Sequence, residues 1–170
     1  GVVVPADSCR KADPDSDTTY DDVLASVTSA YTVDKVLWPG AFSVSMPVLY
    51  VNKAILAQAG VDTTTFPTTI DELRATAEKI KAANVPGVKT PVVIKVDSWF
   101  VENWLTGAGK PLVNNDNGRS GLGTESELDQ PDTTEIYQWF KSMIDDGLAT
   151  AVPSSVTGVD EYLAINAKTS

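Results

Sequence analysis

Apolar positions recur along the chain with two alternating periods, and the switches between them predict short strands leading into helices. Residues 20–31 carry Val23, Leu24, Val27 and Tyr31 on one face behind Thr19 as N-cap, with Asp21 and Asp22 in the first turn, which predicts a helix. Residues 46–51, rich in β-branched and aromatic side chains, predict a buried strand that places Tyr50 in the core. Asn52 then caps a short helix through Ile55 and Leu56, closed by Gly60. Thr69, Ile70, Asp71 and Glu72 form a capping box, followed at helical spacing by Leu73, Ala77 and Ile80, with Arg74 and Glu78 paired on the outer face.

The alternation continues after Pro86 and Gly87. Residues 91–96 predict a second buried strand, and Ser98 is placed to cap a helix carrying Trp99, Phe100, Trp104 and Leu105. Residues 114–123 read as a polar turn region, with Asn117 and Gly118 as a hairpin signal. Asp132 is placed to cap a long helix through Ile136, Tyr137, Phe140, Met143 and Ile144 that ends at Gly147, and a last helix starts near Val159. Residues 1–18, rich in Pro, Asp and Ser, predict a loop-dominated lead-in. No internal repeat is visible, and strands alternating with more numerous helices predict an α/β, helix-rich fold.

Composition narrows the function. With 42% hydrophobic and 21% charged residues, the chain has the makeup of a folded domain. The 23 acidic residues outnumber the 13 basic ones, for a net charge of −10, without any cluster of Lys and Arg. Nucleic-acid binding, which rests on such a cluster, is set aside. Histidine is absent and Cys9 is the one cysteine, so structural zinc, a disulfide framework and Cys-His or Ser-His-Asp catalysis within this chain are excluded, and no cofactor or metal is expected. Cys9 reads as an inert small residue or as one half of a pair completed elsewhere. No run approaches the roughly 18 to 20 apolar residues of a membrane span, no charged-then-apolar leader opens the chain, and its abrupt ends read as those of a trimmed piece.

Several motifs fail on inspection. Placing Gly118 at the glycine position of a calcium loop puts Val113 first and Thr124 last, where carboxylates are required. Gly121 and Gly123 lack the third glycine of a dinucleotide fingerprint, since Ser126 stands there. The adjacent acids Asp71 and Glu72, Asp145 and Asp146, and Asp160 and Glu161 sit at helix ends, where their charge needs no catalytic role. More informative are aromatic and small polar residues at strand-to-helix junctions: Trp38, Ser43 and Ser45 before one strand, and Asp97, Trp99, Glu102 and Trp104 after another. Open α/β sheets bind ligands at the carboxyl ends of their strands, and indole faces beside hydroxyls and carboxylates suit sugars. Each tryptophan also reads as ordinary packing, more so for Trp104 and Trp139 than for Trp99. Ser45 interrupts an apolar approach to a strand, which costs burial unless its hydroxyl finds a partner.

The run Phe42-Ser43-Val44-Ser45-Met46-Pro47-Val48-Leu49-Tyr50-Val51-Asn52-Lys53 resembles the crossover segment of family 1 extracellular solute-binding proteins, the group that includes maltose-binding and glycerol-3-phosphate-binding proteins. The pattern continues in order. Ala59-Gly60-Val61-Asp62 resembles the family's AGLD turn, and Pro67-Thr68-Thr69-Ile70-Asp71-Glu72-Leu73 resembles its P-x-T-W-D-E-L helix start. Ser98-Trp99-Phe100-Val101-Glu102-Asn103-Trp104, residues 114–119 and residues 143–149 are similar to further parts of sugar-binding members. Val51 and Ile70 depart from the usual tyrosine and tryptophan.

The resemblance implies a periplasmic-binding-protein-like type II lobe within an incomplete two-lobe fold. Residues 1–40 would end the first lobe and approach the crossover, and residues 41–170 would form most of the second lobe. It implies a non-enzymatic, extracytoplasmic protein at the cell surface or in the periplasm, its leader and any lipid anchor lying outside this sequence. That protein would bind a sugar, oligosaccharide or glycerophosphodiester reversibly and deliver it to the membrane permease of an ABC importer, with no membrane insertion of this part. By position, Ser45 matches a pocket residue of the crossover and Trp99 the aromatic platform of the second lobe. Ser43 and Asp97 follow as hydrogen-bonding candidates, and Glu102, with Trp104, as a motif residue. A carboxylate-dependent carbohydrate-active enzyme domain and a non-catalytic protein-interaction module remain as alternatives.

Overall fold

The computed structural model describes residues 3–13, 15, 21–153 and 160–167. The chain divides into two compact units, one of Gly1–Met46 and Pro111–Glu127, the other of Pro47–Lys110 and Leu128–Ser170. Each mixes helices and short strands.

In the first unit, the lead-in expected to be loop contains a helix, α1 (Ala6–Ala12). Pro5 precedes it with a φ of −57°, Asp7 lies in its first turn, and Arg10 and Lys11 lie in its last, which suits the helix dipole. Tertiary bonds fix it: the Ala6 amide donates to the Trp38 carbonyl at 2.7 Å and the Leu37 amide to Asp7 Oδ2 at 3.0 Å. The helix predicted for residues 20–31 shortens to α2 (Ala25–Ala30) behind Leu24, which offers no side-chain cap; Thr19 and Tyr20 lie outside the described residues. Leu24 and Tyr31 are exposed and Val23 and Val27 only half-buried, so the apolar face of that pattern is weakly packed.

Strands β1 (Thr32–Val33) and β2 (Val36–Leu37) follow as an antiparallel hairpin, pairing Thr32 with Leu37 and Val33 with Val36. Asp34 and Lys35 both take positive φ, 50° and 63°, as a two-residue hairpin turn of this hand requires. Without glycine or asparagine the pair gives no turn signal in sequence. In the segment 111–127, Val113 bridges Ser126, and Asn115, Asp116 and Asn117 form a left-handed turn with φ of 53° to 56°. This replaces the hairpin expected at Asn117 and Gly118. The asparagines hold it through their side chains: Asn117 Oδ1 accepts from the Leu112 amide at 2.7 Å and Asn114 Oδ1 from the Thr124 amide at 2.9 Å.

The strand predicted at residues 46–51 does not form, and residues 41–50 run without regular structure or a ladder partner among the described residues. Phe42 is fully exposed and Tyr50 is 59% exposed, against the core position expected for it. β-propensity alone does not make a strand, because the ladder's donors and acceptors need a second strand.

The second unit begins with α3 (Lys53–Gln58), where Asn52 Oδ1 accepts from the Ala54 and Ile55 amides and Gly60 takes the left-handed conformation at φ 68°. Helix α4 (Ile70–Ala83) opens on Thr69, whose hydroxyl accepts from the Glu72 amide at 3.2 Å. Glu72 reaches back one residue further than in the usual box and accepts from the Thr68 amide at 2.8 Å; these bonds hold its carboxyl below the usual glutamate range. Helix α5 (Ser98–Gly107) is capped by Asp97 instead of Ser98, and α6 (Pro131–Asp145) follows Gln130 with Pro131 in its first turn, freeing Asp132 to pair with Lys110 at 2.8 Å. Helix α7 (Asp160–Asn166) ends the described chain; Val159 lies outside it.

Strands β3 (Val92–Val96) and β4 (Ala149–Pro153) form a parallel pair in the register Val92 to Ala149 through Val96 to Pro153. The core of the unit gathers on Ile94, Leu148 and Ala149, packed with Ala77 of α4 and the fully buried Met143 of α6. A second cluster joins Ile55 and Leu56 of α3 to Ile80, so α4 is a wall shared by both. Arg74 ties that wall to the end of α6 by bonds to Ser142 at 3.0 Å and to Asp146. Among the described residues, no helix is long and apolar enough to cross a membrane. Met143→Ala empties the centre of this core and is expected to lower unfolding free energy by about 2–5 kcal/mol, read from urea denaturation; a loss below about 1 kcal/mol would contradict this packing.

Candidate functional site

The residues with binding chemistry in the second unit sit where β3 turns into α5. Asp97 closes the strand in extended backbone, φ −149° and ψ 170°, and its Oδ1 accepts from the Phe100 amide at 3.0 Å. This is an N-cap bond, so one carboxylate oxygen of Asp97 already has a structural task. Trp99 follows within the first turn. The residue is 37% exposed, and its ring meets Phe100 edge to face, centroids 4.9 Å apart at 89°. Asn103 Nδ2 donates to the Trp99 carbonyl at 2.7 Å, bracing the same turn. Glu102, three residues beyond Trp99, is exposed.

Trp104 is turned into packing. Its ring lies 5.7 Å from Trp139 and 5.0 Å from Phe140, and Trp139 and Phe140 pack on the core. The α5 tryptophans therefore divide: Trp104 faces α6, and Trp99 stays partly exposed. Ser43 and Ser45 belong to the first unit, in the exposed segment without regular structure. The hydroxyl of Ser45 is therefore not a buried polar group in need of a partner. Asp97, Trp99 and Glu102 are brought onto one strand-to-helix junction. Trp38 is also exposed, at the end of β2.

One polar pair at this junction escaped the sequence reading. Lys95 Nζ donates to Glu161 Oε1 of α7 at 2.9 Å, with the side chains 13% and 20% exposed, and the same ammonium lies 5.9 Å from the Phe100 ring centroid. The Glu161 hydrogen bond holds the Lys95 pKa above the ordinary lysine range, against the opposing effect of burial. Glu161 Oε2 is buried without a hydrogen-bond partner among the described residues. The available signal was a lysine inside the otherwise apolar run Val-Val-Ile-Lys-Val, paired with an acid at the start of the last helix. Among the described residues, no group of three or more acids or cysteines is arranged to hold a metal ion. Cys9 is exposed and free.

Residues 10–165 match the family described as bacterial extracellular solute-binding protein. The sn-glycerol-3-phosphate-binding periplasmic protein UgpB of Yersinia pestis bv. Antiqua (strain Antiqua) is 30% identical over 123 residues, 71% of this chain and 27% of that protein. The UgpB proteins of Pectobacterium atrosepticum and Brucella abortus (strain 2308) are 28% and 31% identical, over 76% and 62% of this chain and 30% and 24% of their own lengths. The chain thus spans about a quarter of the length of these relatives. All three are named for binding, none for catalysis.

Asp97→Ala removes the α5 cap and is expected to cost about 1 kcal/mol of stability in chemical denaturation, while Asp97→Asn, which keeps an acceptor, stays within a few tenths of the parent. Equal losses in both variants would show that charge, and not capping, is what Asp97 contributes to the fold.

Proposed function

Because the chain belongs to the bacterial extracellular solute-binding proteins, we propose that it forms part of a substrate-binding component of an ABC importer. That component captures a sugar or sugar-like polyol outside the cytoplasm and hands it to a membrane permease. The observation that carries the reading is Trp99: a partly exposed aromatic residue at the carboxyl end of a parallel strand, beside a carboxylate at a helix start. Open sheets of this kind take ligands there, and an indole covers the C–H face of a sugar while neighbouring polar groups meet its hydroxyls.

In this reading Trp99 is the platform, Asp97 and Glu102 offer carboxylate oxygens from the second lobe, and Ser43 and Ser45 offer hydroxyls from the crossover. Residues 1–40 end a first lobe, and residues 41–170 make up most of a second, type II lobe of a two-lobe fold that is incomplete in this sequence. The exposed apolar run from Phe42 to Tyr50 fits that arrangement, since a crossover segment finds its ladder partners in the rest of the lobes. The chain is extracytoplasmic, as the family description and the periplasmic relatives have it. Glycerol-3-phosphate, which the relatives are named for, joins the ligand classes to be tested alongside saccharides and glycerophosphodiesters.

A ligand that binds only the folded state raises its melting temperature. The full-length protein is expected to gain thermal stability from one member of a panel of saccharides, glycerol-3-phosphate and glycerophosphodiesters. Trp99→Ala is expected to weaken that ligand about tenfold, the loss of roughly 1.4 kcal/mol. A panel without any shift would overturn the proposal.

A further inference from the structure

The contacts around Lys95 form a chain that ends on the open indole. Glu161 Oε1 holds the Lys95 ammonium at 2.9 Å, that ammonium stands 5.9 Å from the centre of the Phe100 ring, and Phe100 meets Trp99 edge to face at 4.9 Å and 89°. Each link restricts the next. Lys95 lies in β3, paired with β4, so its backbone is fixed by the ladder, and the ion pair with α7 limits its side chain. A cation is attracted to the face of an aromatic ring within about 6 Å, and more strongly when both are withdrawn from water, as the half-buried Phe100 and the 13% exposed Lys95 are. A Phe100 ring held by its face can offer Trp99 only a narrow set of edge-to-face angles.

The pair is costly unless it has such a use. Two charges drawn out of water are seldom stabilising against an apolar pair of the same size, and Glu161 leaves its second oxygen buried without a partner among the described residues. What it brings here is geometry. We infer that Lys95, clamped by Glu161, is a positioning residue that sets the tilt of the Trp99 indole through the ring of Phe100. The platform role of Trp99 rests on the proposed function above; the relay to its ring does not.

The test uses the full-length protein labelled with 5-fluorotryptophan, in which the ¹⁹F resonances of Trp38, Trp99, Trp104 and Trp139 are each assigned by their loss in the corresponding Trp→Phe variant. Lys95→Met keeps the length and apolar stem of the side chain without the charge. It is expected to move the Trp99 resonance and leave those of Trp38, Trp104 and Trp139 in place, and Lys95→Arg is expected to restore the parent position. Glu161→Gln, which keeps a hydrogen-bond acceptor for Lys95 while removing the charge, is expected to shift the same resonance by a smaller amount; it decides the matter if Lys95→Met does not fold. An unmoved Trp99 resonance, or four resonances moving together as in a general loosening, overturns the inference. The measurement contains no ligand, so a full-length protein that bound nothing would defeat the proposed function and leave this result standing.

Discussion

The parallel pairing of β3 with β4 is the constraint on which the second unit depends. The two strands are far apart in sequence, and parallel neighbours need a long crossover whose helices then cover the sheet. Here α5 and α6 lie in that crossover, and Met143 and Leu148 carry the end of α6 straight into the core against Ile94. Once the register from Val92 to Ala149 is set, alternation decides the rest: Ile94 points into the core shared with Ala77, and Lys95 points to the other side, where Glu161 meets it. A slip of one residue would bury the lysine among Met143 and Leu148 and expose Ile94.

The same register puts the carboxyl end of β3 at the start of α5, and chemistry collects there. Asp97 follows the strand and caps the helix, Trp99 lies in the first helical turn, and Trp104, five residues later, has rotated onto Trp139 and Phe140. Helical geometry thus divides two tryptophans of one short helix between packing on α6 and partial exposure. The carboxyl end of a parallel strand is where open α/β sheets take their ligands, which is the ground for the function proposed above.

Much of this was legible in sequence where the signal is local. The cap at Asn52, the turn at Gly60 and the Thr69 cap depend on neighbours within a turn or two and form as expected, apart from Glu72 reaching back to Thr68; helical spacing likewise marked Ala77, Ile80 and Met143, which are buried. Elements that depend on distant partners were misread. Residues 46–51 have strand composition but no second strand to bond among the described residues, and α1, polar enough to pass for a loop, is held by Asp7 and Ala6 bonding to the β2 strand and its end. The β1 and β2 hairpin was missed because Asp34 and Lys35 adopt positive φ without the residues that usually announce it. At the junction of β3 and α5, the positions of Asp97 and Trp99 were legible in the local motif, whereas the Lys95 and Glu161 pair required knowing that α7 returns to β3.

The account turns on ligand contact at this junction. The most direct measurement is a ligand titration of the ¹⁵N-labelled full-length protein followed by NMR, with the tryptophan indole N–H signals assigned. The account predicts that the Trp99 indole signal and the amides of residues 97–100 move first and saturate together, while the indoles of Trp104 and Trp139 stay still. Saturable movement confined to Trp104 and Trp139, or to residues remote from the end of β3, would contradict it.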